Sequence, residues 1–458
     1  DAFNDNMPLD RFTHEQIAGD LIALQDAEQL DAGQITDLKI ASGYNRLLQT
    51  SHEGGVQKKE YLAIYAADRV RNLSNVWMGA TMGCCQCHDH KFDPFTTRDF
   101  YSMVAFFADI EEDRTFSGAN TLPTKREPEL DVITKRQRKK IADRDTQLET
   151  LKNADSENLN YEQIGRLVVE IDRLRKQTRR TMITLAVEPR TIRILPRGNW
   201  LDDSGEIVSP AIPAFLGQLD TGGRRATRLD LAHWLTDDGQ GNGLHTARVF
   251  ANRFWYLLFG SGISKGLDDF GSQGEPPVHP ELLDALSVEL VKSGWDVKHL
   301  IKHLVMSRAY RQSSATSAKL LAIDPYNRLY ARQVRVRLPA ELVRDSALAI
   351  SGLLMTDYGG PSARPYQPAG YYRHLNFPER KYTHHQDQRQ WRRGVYIHWQ
   401  RQFLHPMLKA FDAPMREECT AQRSKSNTPL AALALMNDPT FVEAARVFAA
   451  QIIRKGGT

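Results

Sequence analysis

The stretch from Met78 to Phe95, MGATMGCCQCHDHKFDPF, gathers three of the chain's four cysteines and two of its fourteen histidines between Cys84 and His90. Upstream, Gln57 to about Met82 is rich in helix formers, with Leu62, Tyr65, Ala66, Val70 and Leu73 near the helical period. Downstream, DPFTTRDFYSMVAFFADI supplies a proline stop, a cap at Thr96 or Thr97 and an apolar face of Phe100, Tyr101, Val104 and Phe107. The local order is therefore helix, compact Cys/His turn, helix. It points to a mainly α fold.

Working outward, the N-terminal LDRFTHEQIAGDLI predicts an amphipathic helix, with Thr13 and Gln16 spaced as a capping box. Residues from about Pro128 to Arg180 are dense in charge. They place Ile141, Leu148 and Leu151 on one arm and Ile164, Leu167, Ile171 and Leu174 on another, the pattern of a short antiparallel coiled-coil hairpin. Such a hairpin is a candidate surface for oligomer or partner contact. Alternation over Thr191 to Leu195 predicts a short strand, and helical patterns then return, closing with a helix from about Pro429. Between them lies an irregular tract rich in Gly, Pro, aromatics, His and Arg, a kind of segment that is often functional. The fold class read from this is mainly α: a multi-helix N-terminal domain, a helical hairpin and a second mainly helical domain with few short strands.

Composition excludes several classes. With 41% hydrophobic and 25% charged residues, no run approaches the roughly 20 apolar residues of a membrane helix. A net charge of +4 over 458 residues gives no concentrated basic face for nucleic acid. Four cysteines do not frame a disulfide scaffold. No nucleotide loop, serine-hydrolase elbow or zincin helix is present.

Cys84, Cys87 and His88 spell C-x-x-C-H, the spacing at which two thiols attach haem c and the adjacent imidazole takes its iron. Two other readings stay open. Cys84, Cys87, His88 and His90 could hold a non-haem metal, although structural zinc sites separate their ligand pairs by a longer spacer. Structural or redox cysteines are the third, although a redox C-x-x-C usually begins a helix beside a strand.

The run from Glu53 through the motif to Phe107 resembles the planctomycete-type cytochrome c domain, carrying its C-x-x-C-H-D-H-K pattern as Cys84, Cys87, His88, Asp89, His90 and Lys91. RILPRGNWLDDSGEIV, ARVFANRFWYLLFGSGI, SGWDVKHLIKHLVMSRAYRQSS and FDAPMREECTAQRSKSNTPLAALALMND are similar to the partner domain that usually follows it. Both are families of unknown function from planctomycetes and related bacteria, often encoded near sulfatases and glycan-degrading enzymes. The resemblance implies one covalent haem c and a periplasmic or cell-surface location, with an export signal upstream. The implied layout is the C-terminal part of the cytochrome domain over 1–118, the charged hairpin over 119–188 and the partner domain over 189–458. It also leaves Cys85 at a variable position, where an oxidising compartment would allow pairing with Cys419.

Further candidates follow from chemistry. If His88 is the proximal ligand, His52 is a distal candidate, while Met82 and Met103 read more simply as core. Arg69 suits a haem propionate through its planar fork, with Asp68 beside it. Glu53, His90 and Asp93 are acid or base candidates. In the irregular tract His384, His385, Arg392, Arg393, His398 and Arg401, among Tyr and Trp, are substrate-binding candidates for an anionic glycan. The expected function is that of a haem-c oxidoreductase in complex-glycan degradation, working with a redox partner protein. A non-catalytic electron-transfer or scaffold cytochrome and a metallohydrolase with a Cys/His metal site are the alternatives.

Overall fold

The computed structural model describes residues 1–48, 56–116, 126–153, 160–375, 379–401 and 403–456. It is mainly α, 52% helical, with two small two-stranded sheets. In chain order the helices are α1 Leu9–Gln25, α2 Ala32–Ser42, α3 Lys58–Leu73, α4 Thr97–Phe106, α5 Asp113–Phe116, α6 Lys135–Lys152, α7 Tyr161–Lys176, α8 Arg228–Thr236 and α9 Gly243–Phe259. They continue with α10 Pro280–Lys292, α11 Val297–Met306, α12 Arg308–Arg311, α13 Ala318–Ile323, α14 Ala340–Ile350, α15 Pro406–Ala410, α16 Pro429–Asn437 and α17 Pro439–Arg454. The strands are β1 Glu129–Val132, β2 Arg179–Met182, β3 Ile192–Arg193 and β4 Ile207–Val208, paired antiparallel as β1–β2 and β3–β4. Two compact units result. The first is Asp1–Phe254 with Asp268–His303, and the second is Trp255–Leu267 with Leu304–Thr458.

In the first unit α1 packs on α2 and α8, and α3 packs on α4. Their shared core centres on Trp77, Met82, Phe100, Phe106 and Leu231. Within it Arg228 is wholly buried, its guanidinium bonded to Asp20 at 2.8 Å and to Asp109 at 2.8 and 2.9 Å. Thr13 is not the cap that its spacing suggested. The helix starts a turn earlier behind Pro8, and the buried Thr13 hydroxyl donates to the Leu9 carbonyl at 2.8 Å while accepting from Trp77 Nε1 at 2.9 Å. Apolar burial on both sides of Thr13 overrides the capping signal.

The hairpin arms α6 and α7 bury Ile141, Leu148, Leu167, Ile171 and Leu174 against one another. At its base, β1 and β2 pair in the register Glu129↔Met182 to Val132↔Arg179, which the charge pattern had not announced. Thr134 begins α6 with a full capping box through Gln137. Arg138 on its first turn reaches across to Asp37 of α2 at 2.6 Å.

The second unit holds its own core of Ile397, Leu404, Met407, Leu408, Phe411 and Phe441, built by α14 to α17 with the irregular tract. The closing helix is two helices rather than one. Asp438 ends α16 and caps α17, because Pro439 has no N–H to continue the first ladder and fits the first turn of the second.

Candidate functional site

The Cys/His loop is positioned by the way its preceding helix stops. α3 ends at Leu73, widens into a π turn over Ser74–Met78 and is closed by Gly79 in the left-handed conformation, φ 54°. The helix expected to continue to Met82 thus ends nine residues sooner, releasing the chain into a tight 3₁₀ turn over Met82–Gln86. In such a turn side chains three apart eclipse. Cys84 and Cys87 accordingly share one exposed face, while Cys85 turns inward and is fully buried. The Cys84 carbonyl accepts from the N–H of Cys87 at 3.2 Å and of His88 at 3.4 Å, which ties the three motif residues to one turn.

His88 is exposed, and its Nδ1 lies 2.7 Å from the Asp89 carbonyl oxygen. With Nδ1–H donated there, Nε2 is the nitrogen left for a metal, the arrangement common in metal-binding histidines. The Asp89 carboxylate accepts from Thr97 N–H at 2.7 Å, and Thr96 caps α4 in a box with Asp99. Tyr101 on α4 donates its hydroxyl to the Gln86 carbonyl at 2.9 Å. The loop is thereby tied at Gln86 and Asp89 to the helix that follows.

His90 is buried, and its Nδ1 faces the N–H groups of Asp93 at 2.9 Å and Phe92 at 3.4 Å. Asp93 is buried beside it and accepts from Ser272 N–H at 2.7 Å. His90 therefore spends Nδ1 on closing the loop, and Asp93 spends a carboxylate oxygen on Ser272. His52 and Glu53 lie outside the described residues.

Two cavities of the first unit border this loop. One, about 510 Å³, meets it at Gln86 and has an apolar wall of Leu62, Phe100, Val104 and Trp200. Its cations are Lys59, Arg69, Arg190 and Arg193. Arg69, read from sequence as a propionate ligand, is buried in an ion pair with the equally buried Glu112 and donates to the Asn45 carbonyl at 2.8 Å. Arg190 donates to the Ile110 carbonyl at 2.7 Å, and burial pushes its pKa down, the mark of a cation poorly compensated. Gly198, at φ 72°, lets the chain pass close to the motif: a Cβ there would sit 2.9 Å from Cys87 Sγ. The second cavity, about 620 Å³, is bounded by Asp93, Phe95, Phe215, His245 and Phe270. Beyond Arg69, the basic lining of the first cavity escaped the sequence reading. Its signal was the alternation that sets Thr191, Arg193 and Leu195 on one side of a short strand.

Met82 and Met103 are wholly buried in the core, and Asp68 faces Arg71 at 3.7 Å. Cys85 is a buried thiol and Cys419 an exposed one. Among the described residues, the set of metal-ligating side chains close enough to share one ion is Glu289, His299 and His303, not the Cys/His loop.

In the second unit the substrate-binding candidates are dispersed in role. Arg392 is buried, donates to the Pro361 and Gly359 carbonyls and lies over the Tyr396 ring at 4.2 Å. His385 accepts from Arg364 N–H at 3.2 Å, and His398 lies against Tyr382. His384 meets Tyr366 edge-on, and Arg393 is 3.7 Å from Asp345. Arg401 is half-buried. Arg392 and His385 thus hold the irregular tract in shape.

A mainly helical chain with a C-x-x-C-H turn tied between two helices is the class of protein that fold and site define. The chain belongs to the family described as PSD1, protein of unknown function (DUF1553), whose model matches residues 227–456, half of the sequence. Residues 1–112 match PSCyt2, protein of unknown function (DUF1549). No curated protein and no solved structure matches the chain.

Proposed function

We propose that this protein is an extracytoplasmic c-type haem protein in which Cys84, Cys87 and His88 hold the haem, acting as an oxidoreductase in the degradation of complex glycans, sulfated ones included. The observation that carries the reading is the 3₁₀ turn that sets Cys84 and Cys87 on one exposed face next to an imidazole anchored through Nδ1. Beside it, the cavity at Gln86 has the size of a ligand pocket, an apolar wall and more cations than carboxylates. Arg190 and Arg193 replace Arg69 as the residues suited to propionates, since Arg69 already has a buried partner. Bound haem supplies an iron centre that can change oxidation state. The name PSCyt2 agrees with a cytochrome-type domain, and the glycan assignment rests on the company this pair of families keeps.

A second reading, a non-catalytic electron carrier, is favoured by the exposure of Cys84, Cys87 and His88, which suits electron exchange with a partner protein. Both readings are tested by producing the protein with a c-type maturation system and recording a pyridine haemochrome spectrum beside a haem-stained denaturing gel. Covalent haem that vanishes in Cys84→Ser and Cys87→Ser is expected. A high-spin, ligand-accessible form supports the enzyme, and a six-coordinate low-spin form supports the carrier. Protein that matures without haem while both thiols remain alkylatable overturns both.

A further inference from the structure

The second unit contains a cavity of about 670 Å³, well within the range of pockets for small organic ligands. It lies between the end of α9, the start of α14 and the irregular stretch 411–425, all within that unit. Its ionised side chains are Arg337, Arg416, Arg423 and Lys425 against Glu341 and Asp412, an excess of two positive charges.

How the two carboxylates are used decides the matter. Glu341 is shared: it accepts from Arg423 at 2.7 Å and lies 3.9 Å from Arg416. Asp412 gives one oxygen to the Ser426 N–H at 2.7 Å and the other to the Ser426 hydroxyl at 2.6 Å, leaving Arg337 at 3.9 Å. Lys425 sits over the Tyr256 ring, 5.0 Å from its centre, Arg416 over the Trp399 ring at 3.6 Å and Arg337 over the Phe411 ring at 5.9 Å. Aromatic faces thus hold three of the cations. The N-terminus of α14, the positive end of an eleven-residue helix, forms part of the same wall. Solvent-accessible cations gathered around one cavity focus a positive field into it and favour an anionic ligand there.

We propose that this cavity binds a ring-bodied organic ligand bearing two oxyanion groups, the ring lying on the exposed aliphatic surface of Leu257, Leu338 and Val395. Carboxylate and sulfate ester are the two sources of that chemistry. Arg337 and Lys425 carry the recognition, because the charges of Arg416 and Arg423 are already shared with Glu341. This site does not depend on haem, so its failure would leave the haem reading standing, and the reverse also holds.

The test is calorimetric titration of the full chain at low salt with a sulfated disaccharide, a uronate disaccharide, a neutral disaccharide of equal size and inorganic sulfate. An anionic disaccharide should bind at least about tenfold more tightly than the neutral one, with affinity falling as salt rises. Whichever anionic probe binds better identifies the source. Lys425→Gln and Arg337→Gln, both at solvent-accessible positions, should each weaken binding by about three- to tenfold with unchanged thermal stability. Glu341→Gln should tighten it, since it frees two guanidinium groups, whereas a purely structural role for Glu341 would weaken it. Equal binding of neutral and anionic disaccharides, no binding below about 10 mM, or wild-type affinity in Lys425→Gln and Arg337→Gln overturns the proposal. So does inorganic sulfate binding as tightly as the disaccharides.

Discussion

Two buried side chains set expectations that calorimetry can check. Arg228 bridges Asp20 and Asp109; burial works against its charge, but the two carboxylates outweigh burial and hold its pKa above the ordinary value. Arg228→Met leaves two enclosed carboxylates without their cation and should destabilise the protein by about 3–5 kcal/mol, read from denaturant unfolding. His14 is a different case. Burial, and then the nearby His233 ring, lower its pKa to about 4 from 6.5, while Asp10 pulls weakly the other way. Its folded pKa lies below the unfolded one, so the unfolded chain takes the proton first. Stability is full above about pH 6.5 and declines as pH falls through the window down to about 4. His14→Gln should flatten that decline by roughly 1–2 kcal/mol, once the partial exposure of His14 is discounted, in melting curves at pH 7 and pH 5. At this scale the sequence was legible where neighbours in the chain are neighbours in space: C-x-x-C-H on one turn, a threonine cap at the start of α4. It was opaque where they are not. Arg69 looked free because its partner Glu112 lies forty-three residues away, and Arg190 carried no local sign that it faces the same cavity.

The hairpin is the element most nearly independent of its surroundings. Its apolar seam is one strip of buried residues, so a single truncation removes a large share of what holds α6 to α7. Ile171→Ala should cost about 2–3 kcal/mol locally. Hydrogen exchange should then quicken across both arms while the amides of α1, α4 and α8 keep their protection; uniform loss of protection would show that the hairpin and the core unfold together. The arms were readable because a heptad repeat is a periodic signal. The β1–β2 clasp was not, since four-residue strands carry too few alternations and their pairing is fixed by chain ends fifty residues apart. The π turn before the Cys/His loop was hidden for a similar reason: Leu73, Val76 and Trp77 continue the helical apolar spacing, and only Gly79 and the packing of Trp77 end the ladder.

On the scale of the molecule, two separate cores imply two cooperative units. Differential scanning calorimetry should resolve two transitions, and Phe441→Ala in the second core should move only one of them. A single transition that shifts as a whole would show the cores to be thermodynamically one. Two of the three boundaries lie inside α9 and α11, between Phe254 and Trp255 and between His303 and Leu304, where no glycine, proline or change of composition marks them; the third, between Leu267 and Asp268, follows Gly266. No reading of linkers could have found the first two. No helix among the described residues is long and apolar enough to cross a membrane, as composition had indicated. The inward turn of Cys85, finally, has a meaning in time as well as in space. Burial pushes this thiol up to about pKa 12 and keeps it inert, yet in the unfolded chain it stands directly between Cys84 and Cys87 as a third, equally reactive candidate for any linkage. Closure of the core around Phe95, Phe100 and Met82 thus withdraws Cys85 from reaction and leaves Cys84 and Cys87 as the accessible pair.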